Sequence, residues 1–295
     1  MVTAQEQIKT KAEEIINKFK TLNYTNSDEV INDYRIDISS FIDLPEEFLF
    51  KSDKSDGHKK LSEMFINGYE HLDLSIKKQY KKEFFKNVEK RCPFCGQLLE
   101  SSGKADSDVP TADLDHFFPK FEYPQFSLLP QNLIPTCMEC NRIEKHRKSI
   151  LPSEFKLALE ELGLLKIFQQ HPNSHFKLYT SLSFDCNNKL FLKTNNEAIH
   201  KLIKLYGLNE RYHTIKGKCF NILWSIVRYS NINSVESLER LLENMASNNW
   251  HEINDGYSLN NSPQIWQEFI ENILYDECKL MALWDEVKSS ELSFL

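Results

Sequence analysis

The chain has 295 residues, enough for about two domains of ordinary size, and its 41% hydrophobic and 12% aromatic content excludes bulk disorder. Lys and Arg total 36 against 43 Asp and Glu, a net charge of −7, so a generally basic nucleic-acid binder is excluded and any such surface must be local. Only 8 residues are Gly, no GxxxxGK[ST] or GxGxxG phosphate loop is present, and no apolar run approaches the roughly 18 residues of a membrane span.

The polar start, MVTAQEQIKTKAEE, has no leader pattern, so a cytoplasmic protein without a membrane partner is expected. Over residues 4 to 20, Ile8, Ala12, Ile15, Ile16 and Phe19 form the stripe of an amphipathic helix. Asn26 and Ser27 before Asp28 and Glu29 read as a second helix start, and a third helix fits 59 to 69. Residues 74 to 91 read as a further helix, whose 76 to 91 part carries seven basic residues against two acids, a local charge of +5. That face is either simply solvated or turned toward phosphates, with Lys81, Lys82 and Lys86 as its candidate contacts.

Residues 97 to 110 form a mostly polar loop, and TADLDHFFPK and FSLLPQNLIP then read as short extended pieces that prolines keep from continuous helix. A helix fits 138 to 148. Past residue 150, Ser153 caps a short helix to about 162, and HFKLYTSLSF with KLFLKT around DCNN predicts a hairpin. Helices are expected at 196 to 206, 209 to 229, 235 to 247 and 263 to 288, with Trp224, Trp250, Trp266 and Trp284 in their cores. Residues 231 to 295 carry twelve acids and three bases, which suits a solvated bundle or a protein-partner surface better than a nucleic-acid track. The expected architecture is mainly α with a small α+β insert, divided as an N-terminal helical region 1–91, an insert 92–150 and a mostly helical C-terminal domain 151–295 containing the hairpin.

Four of seven cysteines fall in two CxxC pairs, Cys92/Cys95 and Cys137/Cys140, 41 residues apart. In a chain with no leader pattern this spacing argues for metal over a disulfide framework, and four thiolates suit a closed tetrahedral structural Zn2+ site. Its job would be to clamp the 92–96 turn to the start of the 138–148 helix. His171 and His175 do not read as a metal pair, because Pro172 interrupts a helix and no carboxylate stands near.

Between and beside the cysteine pairs stand Asp115, His116, Asn132 and Asn141. CPFCG, then LDHFFPK, then QNLIPTCMECNRIEK resembles the HNH endonuclease superfamily with zinc-knuckle cysteines, over about 60 residues. The flanking basic helix and YPQFS are similar to stand-alone bacterial HNH proteins, some of which serve in phage defence. The resemblance implies a ββα-metal core and metal-dependent phosphodiester hydrolysis. His116 is then the general base, Asp115 and Asn141 hold a catalytic Mg2+ or Mn2+, and Asn132 braces the loop carrying the histidine. Asp115 precedes His116 on a strand and points to the opposite side unless the backbone bends. With Asn141 where the family often has His, the motif is an HNN variant. Lys120 to Pro124 occupies the stretch where many members carry a glycine pair.

Arg142, Lys145 and His146, with Lys120, complete the candidate phosphate contacts. DNA is the expected substrate. RNA stays open, as does a zinc-ribbon module that binds nucleic acid or protein without cutting, although that module gives no reason for the Asp, His and two Asn to occur together. No sequence-reading element is recognisable, so targeting is expected from a partner such as an ATPase, through the acidic C-terminal domain.

Overall fold

The computed structural model describes residues 2–35, 55–86, 90–97, 99, 109–146, 148, 178, 182–184, 190–192, 195–211, 223–227, 230, 232–247, 270–271 and 273–292. Among these the protein is mainly helical, with two short two-stranded antiparallel sheets and a buried group of four cysteines. It separates into two compact units. One comprises 1–94, 99–177 and 196–206; the other comprises 95–98, 178–195 and 207–295.

In the first unit, α1 (Ala4–Lys20) buries Ala4, Ile8, Ile15, Ile16 and Phe19, the stripe expected from the sequence. Its start is a capping box: the Thr3 hydroxyl accepts from the Glu6 N–H while the Glu6 carboxylate accepts from the Thr3 N–H. Helix α2 (Ser27–Tyr34) follows Asn26, which adopts a left-handed φ of 61°. Helix α3 (Asp56–Glu70) is capped by Ser55, and α4 (Leu74–Phe84) by Asp73. Helix α4 stops at Phe84, short of the expected 91, with a turn at 85–86 where Phe84 and Phe85 are buried; Arg91 and Cys92 are buried as well.

Strand β1 (Asp113–His116) pairs antiparallel with β2 (Leu133–Thr136), with Asp115 opposite Ile134 and His116 opposite Leu133. The connection between them is shaped by two 3-10 turns, each opened by a proline, at Pro124–Phe126 and Pro130–Asn132. These turns pack against the N-terminal helices. Buried Tyr80 of α4 places its hydroxyl 2.6 Å from the Pro130 carbonyl and 3.0 Å from that of Leu133. The N-terminal helices and the strand pair therefore share one unit, where the sequence suggests a division at residue 91. Helix α5 (Glu197–Leu205) also belongs to this unit and leads into buried Tyr206.

In the second unit, β3 (Leu182–Phe184) pairs with β4 (Leu190–Leu192), the expected hairpin. Helix α6 (Val235–Ser247) runs over the expected span, and α7 (Glu277–Leu292) begins later than expected. Tyr275 and Asp276 interrupt the expected 263–288 helix, and the Asp276 carboxylate accepts the Lys279 N–H at 3.3 Å as a new cap. Leu238, Leu242, Leu280, Leu283 and Trp284 are among the residues of this unit's core, with Trp224 packed against it. Of the expected 209–229 helix, 209–211 and 223–227 are described and helical. The 153–162 helix, His171, His175, Trp250 and Trp266 lie outside the described residues, as does most of the 97–110 loop. Among the described residues, no helix is long and apolar enough to cross a membrane.

Candidate metal and catalytic centre

Cys92 and Cys95 stand on a turn that ends at Gly96, whose φ of 75° lies in the left-handed region that glycine adopts without steric cost. In the second pair the Cys140 N–H donates to Cys137 Sγ at 3.4 Å. All four thiols are buried, and their sulfur atoms lie within 4.8 Å of one another. Zinc bound at about 2.3 Å in a tetrahedron needs sulfurs roughly 3.8 Å apart, so the group can hold one such ion. Four sulfur ligands would leave no position for a substrate. Phe94, inside the first pair, stacks on Tyr206 with ring centroids 3.9 Å apart.

Alternation along β1 places Leu114 and His116 on one face and Asp113 and Asp115 on the other. On the histidine face, His116 Nε2 lies 3.0 Å from the Ser127 carbonyl. A carbonyl only accepts, so Nε2 carries the hydrogen and Nδ1 of the neutral ring keeps its lone pair. Burial pushes the imidazole down to about 3; Lys145, Lys120 and Lys77 add to the effect, while the Ser127 bond opposes it. The Tyr69 ring meets His116 edge-on at 4.2 Å, and its hydroxyl donates to the Leu114 carbonyl at 3.3 Å.

Asn132 is fully buried. Its Oδ1 accepts from the Phe118 N–H at 2.8 Å, and its Nδ2 donates to the carbonyls of Phe118 (3.0 Å) and Phe126 (3.1 Å). These bonds tie together the loop that presents Ser127 to His116.

On the opposite face, Asp115 is 2% exposed, with Oδ1 2.6 Å from Lys145 Nζ and Oδ2 3.5 Å from the Tyr206 hydroxyl. Burial lifts this carboxyl above the usual carboxylate range while the Lys145 ammonium pulls against it. Lys145 also donates to the His116 carbonyl and is 1% exposed. The expected phosphate contact at Lys145 is thus corrected: its ammonium is an internal partner of Asp115. The local cause is the backbone, because Glu139–Lys145 is a wide π-helix rather than the expected α-helix, closed by the His146 N–H on the Asn141 carbonyl at 2.8 Å.

Asn141 Nδ2 donates to Asp113 Oδ2 at 3.3 Å, and Arg142 holds the same carboxylate through Nε at 2.6 Å and Nη2 at 2.7 Å. Asp115 and Asn141 are therefore each engaged with a different partner. A divalent ion of the expected kind does not fit these side chains as they stand, since it would have to displace the Lys145 ammonium.

Along α4, Lys77 and Lys81 form one row. Lys81 Nζ donates to the Ala112 carbonyl at 2.9 Å, just before β1, and Lys77 Nζ lies 4.5 Å from the Tyr69 ring. Lys82 and Lys86 are exposed, and Lys86 lies past the helix end. Lys120 pairs with Glu70 at 2.8 Å and lies 5.4 Å from the Tyr69 ring. His146 is exposed and has a left-handed φ of 47°. Sequence reasoning missed Asp113, Tyr69, Ser127 and Tyr206. Asp113 was findable from its same-face spacing to Asp115, whereas Tyr206 lies 91 residues away and carried no local signal.

No family model matches the chain, and no solved structure matches it significantly. The protein ea31 of Escherichia phage lambda is 34% identical over 86 residues, 29% of this chain and 25% of the phage protein. The chain thus spans about a quarter of the length of that relative.

Proposed function

We propose that the protein is an HNH-type endonuclease that hydrolyses phosphodiester bonds in DNA, with a structural zinc ion on Cys92, Cys95, Cys137 and Cys140. The supporting observation is His116: its Nε2 hydrogen is committed to the Ser127 carbonyl, so Nδ1 is the nitrogen that would accept a proton. In the proposed reaction a water oxygen bonds to phosphorus and the bond to the leaving oxygen breaks. The water's proton passes to Nδ1 and then to the leaving oxygen, which leaves a phosphate monoester and a hydroxyl. Asn132 acts by holding the loop on which Ser127 sits. The HNH-type ββα-metal core, an antiphage role and an ATPase partner belong to this reading through the resemblance; a catalytic Mg2+ or Mn2+ would require the Asp115–Lys145 pair to open first.

A second reading, a zinc module that binds nucleic acid without cutting, is favoured by the ion pair that occupies Asp115. Purified protein with plasmid DNA or structured RNA, under Mg2+, Mn2+ or EDTA, separates the two. The nuclease reading expects cleavage that His116→Ala lowers by at least ~10²-fold with folding intact. Activity retained within a few fold overturns the role of His116, and binding without cleavage under every ion favours the module.

A further inference from the structure

Three elements converge on the Tyr69 ring. Tyr69 comes from α3, Lys77 from α4, and Lys120 from the loop after β1. The ring touches His116 edge-on at 4.2 Å, with Lys77 Nζ 4.5 Å and Lys120 Nζ 5.4 Å from its centroid. We propose that Lys77 and Lys120, gathered on this ring, form a seat for a phosphate neighbouring the one attacked, so that the substrate is a nucleic-acid strand and not an isolated diester. The proposal rests on the nuclease reading for the role of His116, but not for the seat's ability to bind.

The charge balance around the ring supports an anion. Glu70 offers one carboxylate, 2.8 Å from Lys120, while its backbone carbonyl lies 3.5 Å from Lys77 Nζ. The other nearby acids have their own cations: Asp113 is held by Arg142, and Asp115 by Lys145. Two ammonium groups thus share one carboxylate, and each raises the cost of the other's charge. Burial and the Lys120 charge both disfavour the protonated form of Lys77, and a bound phosphate would reverse that penalty. An aromatic face holds cations without neutralising them, so both charges remain for a ligand. Lys77 lies on the helix row that faces the strand pair, together with Lys81, whereas Lys82 and Lys86 do not.

The test uses the full chain. Anisotropy of a short fluorescein-labelled DNA strand in EDTA is followed against salt for wild type, Lys77→Met, Lys120→Met and Lys77→Arg, with Lys78→Met as the exposed control. Hydrolysis of the DNA and of bis(p-nitrophenyl) phosphate is measured in parallel. Each methionine variant should reduce the slope of log K against log salt by about 0.7 to 0.9. Lys77→Arg should restore the slope, Lys78→Met should leave it alone, and hydrolysis of DNA at subsaturating concentration should fall further than hydrolysis of the small diester, which feels the lysines only through the charge they place near His116. Unaltered slopes and affinities in both methionine variants overturn the seat. So does a fall in small-diester hydrolysis in step with DNA hydrolysis, which would put the lysines at the attacked phosphate. If slopes fall as expected while no protein hydrolyses anything, the seat stands and the nuclease reading fails.

Discussion

Lys145 shows how an exposed-looking residue acquires an internal role. With Arg142 and His146 it reads as a candidate phosphate contact just after Asn141, yet Lys145 turns inward to Asp115 at 2.6 Å. Such a pair need not add net stability, but breaking it leaves an uncompensated buried charge. Lys145→Met should therefore cost about 3–5 kcal/mol in urea unfolding, and the double variant Asp115→Asn/Lys145→Met should recover most of it. A single variant as stable as wild type would mean that water reaches Asp115. His116 supplies the pH prediction. Its native imidazole is pushed down to about 3 from 6.5, so the unfolded chain binds the proton first as pH falls. Its contribution to stability should be complete above about pH 6.5 and be lost progressively toward 3. Imidazole 15N spectra should show the neutral ring with hydrogen on Nε2 at pH 5, and the urea midpoint should fall less between pH 7 and 5 in His116→Gln. A protonated ring at pH 5 would contradict the burial.

At the level of elements, the sequence was most legible where one periodic face meets one core. Helices α1 and α6 occupy the spans their apolar spacing predicts. It was least legible at ends, because caps and buried turns compete with propensity: α4 yields to Phe84 and Phe85, and Asp276 caps a fresh start for α7. The contact of α1 with α3 depends on a residue that composition does not flag. A Cβ on Gly68 would stand 2.4 Å from Ile15 Cδ1 and 3.1 Å from Leu128 Cδ1. Ala is tolerable there, since a terminal methyl can shift and the helix gains up to ~1 kcal/mol. Gly68→Val adds branches that cannot be accommodated in the same way and should cost about 1–3 kcal/mol by thermal or urea unfolding. Equal stability of the Val variant would show that the two helices can separate without loss.

Across the whole molecule, the four cysteines gather two segments that are 41 residues apart in the chain. With zinc bound, that closure contributes directly to folding. Elemental analysis should find about one zinc per chain, lost together with thermal stability in Cys92→Ser and Cys137→Ser, whereas mild EDTA should leave it in place. Protein purified without chelator that contains no zinc would defeat the assignment. The amphipathic helices, the paired cysteines, the strand pair and the hairpin were all determined by local spacing in the sequence, because each depends on the period of a helix or strand or on a short turn. Even the opposite facing of Asp115 and His116 follows from strand alternation. Only the tertiary structure decided what each face meets. Tyr206 arrives beside Asp115 from 91 residues away, Tyr69 gathers two lysines beside His116, and the π-helix carries Lys145 into the interior. The physical reason is that periodicity sets the direction of a side chain, whereas its charge, protonation and partners depend on long-range packing that no local pattern encodes.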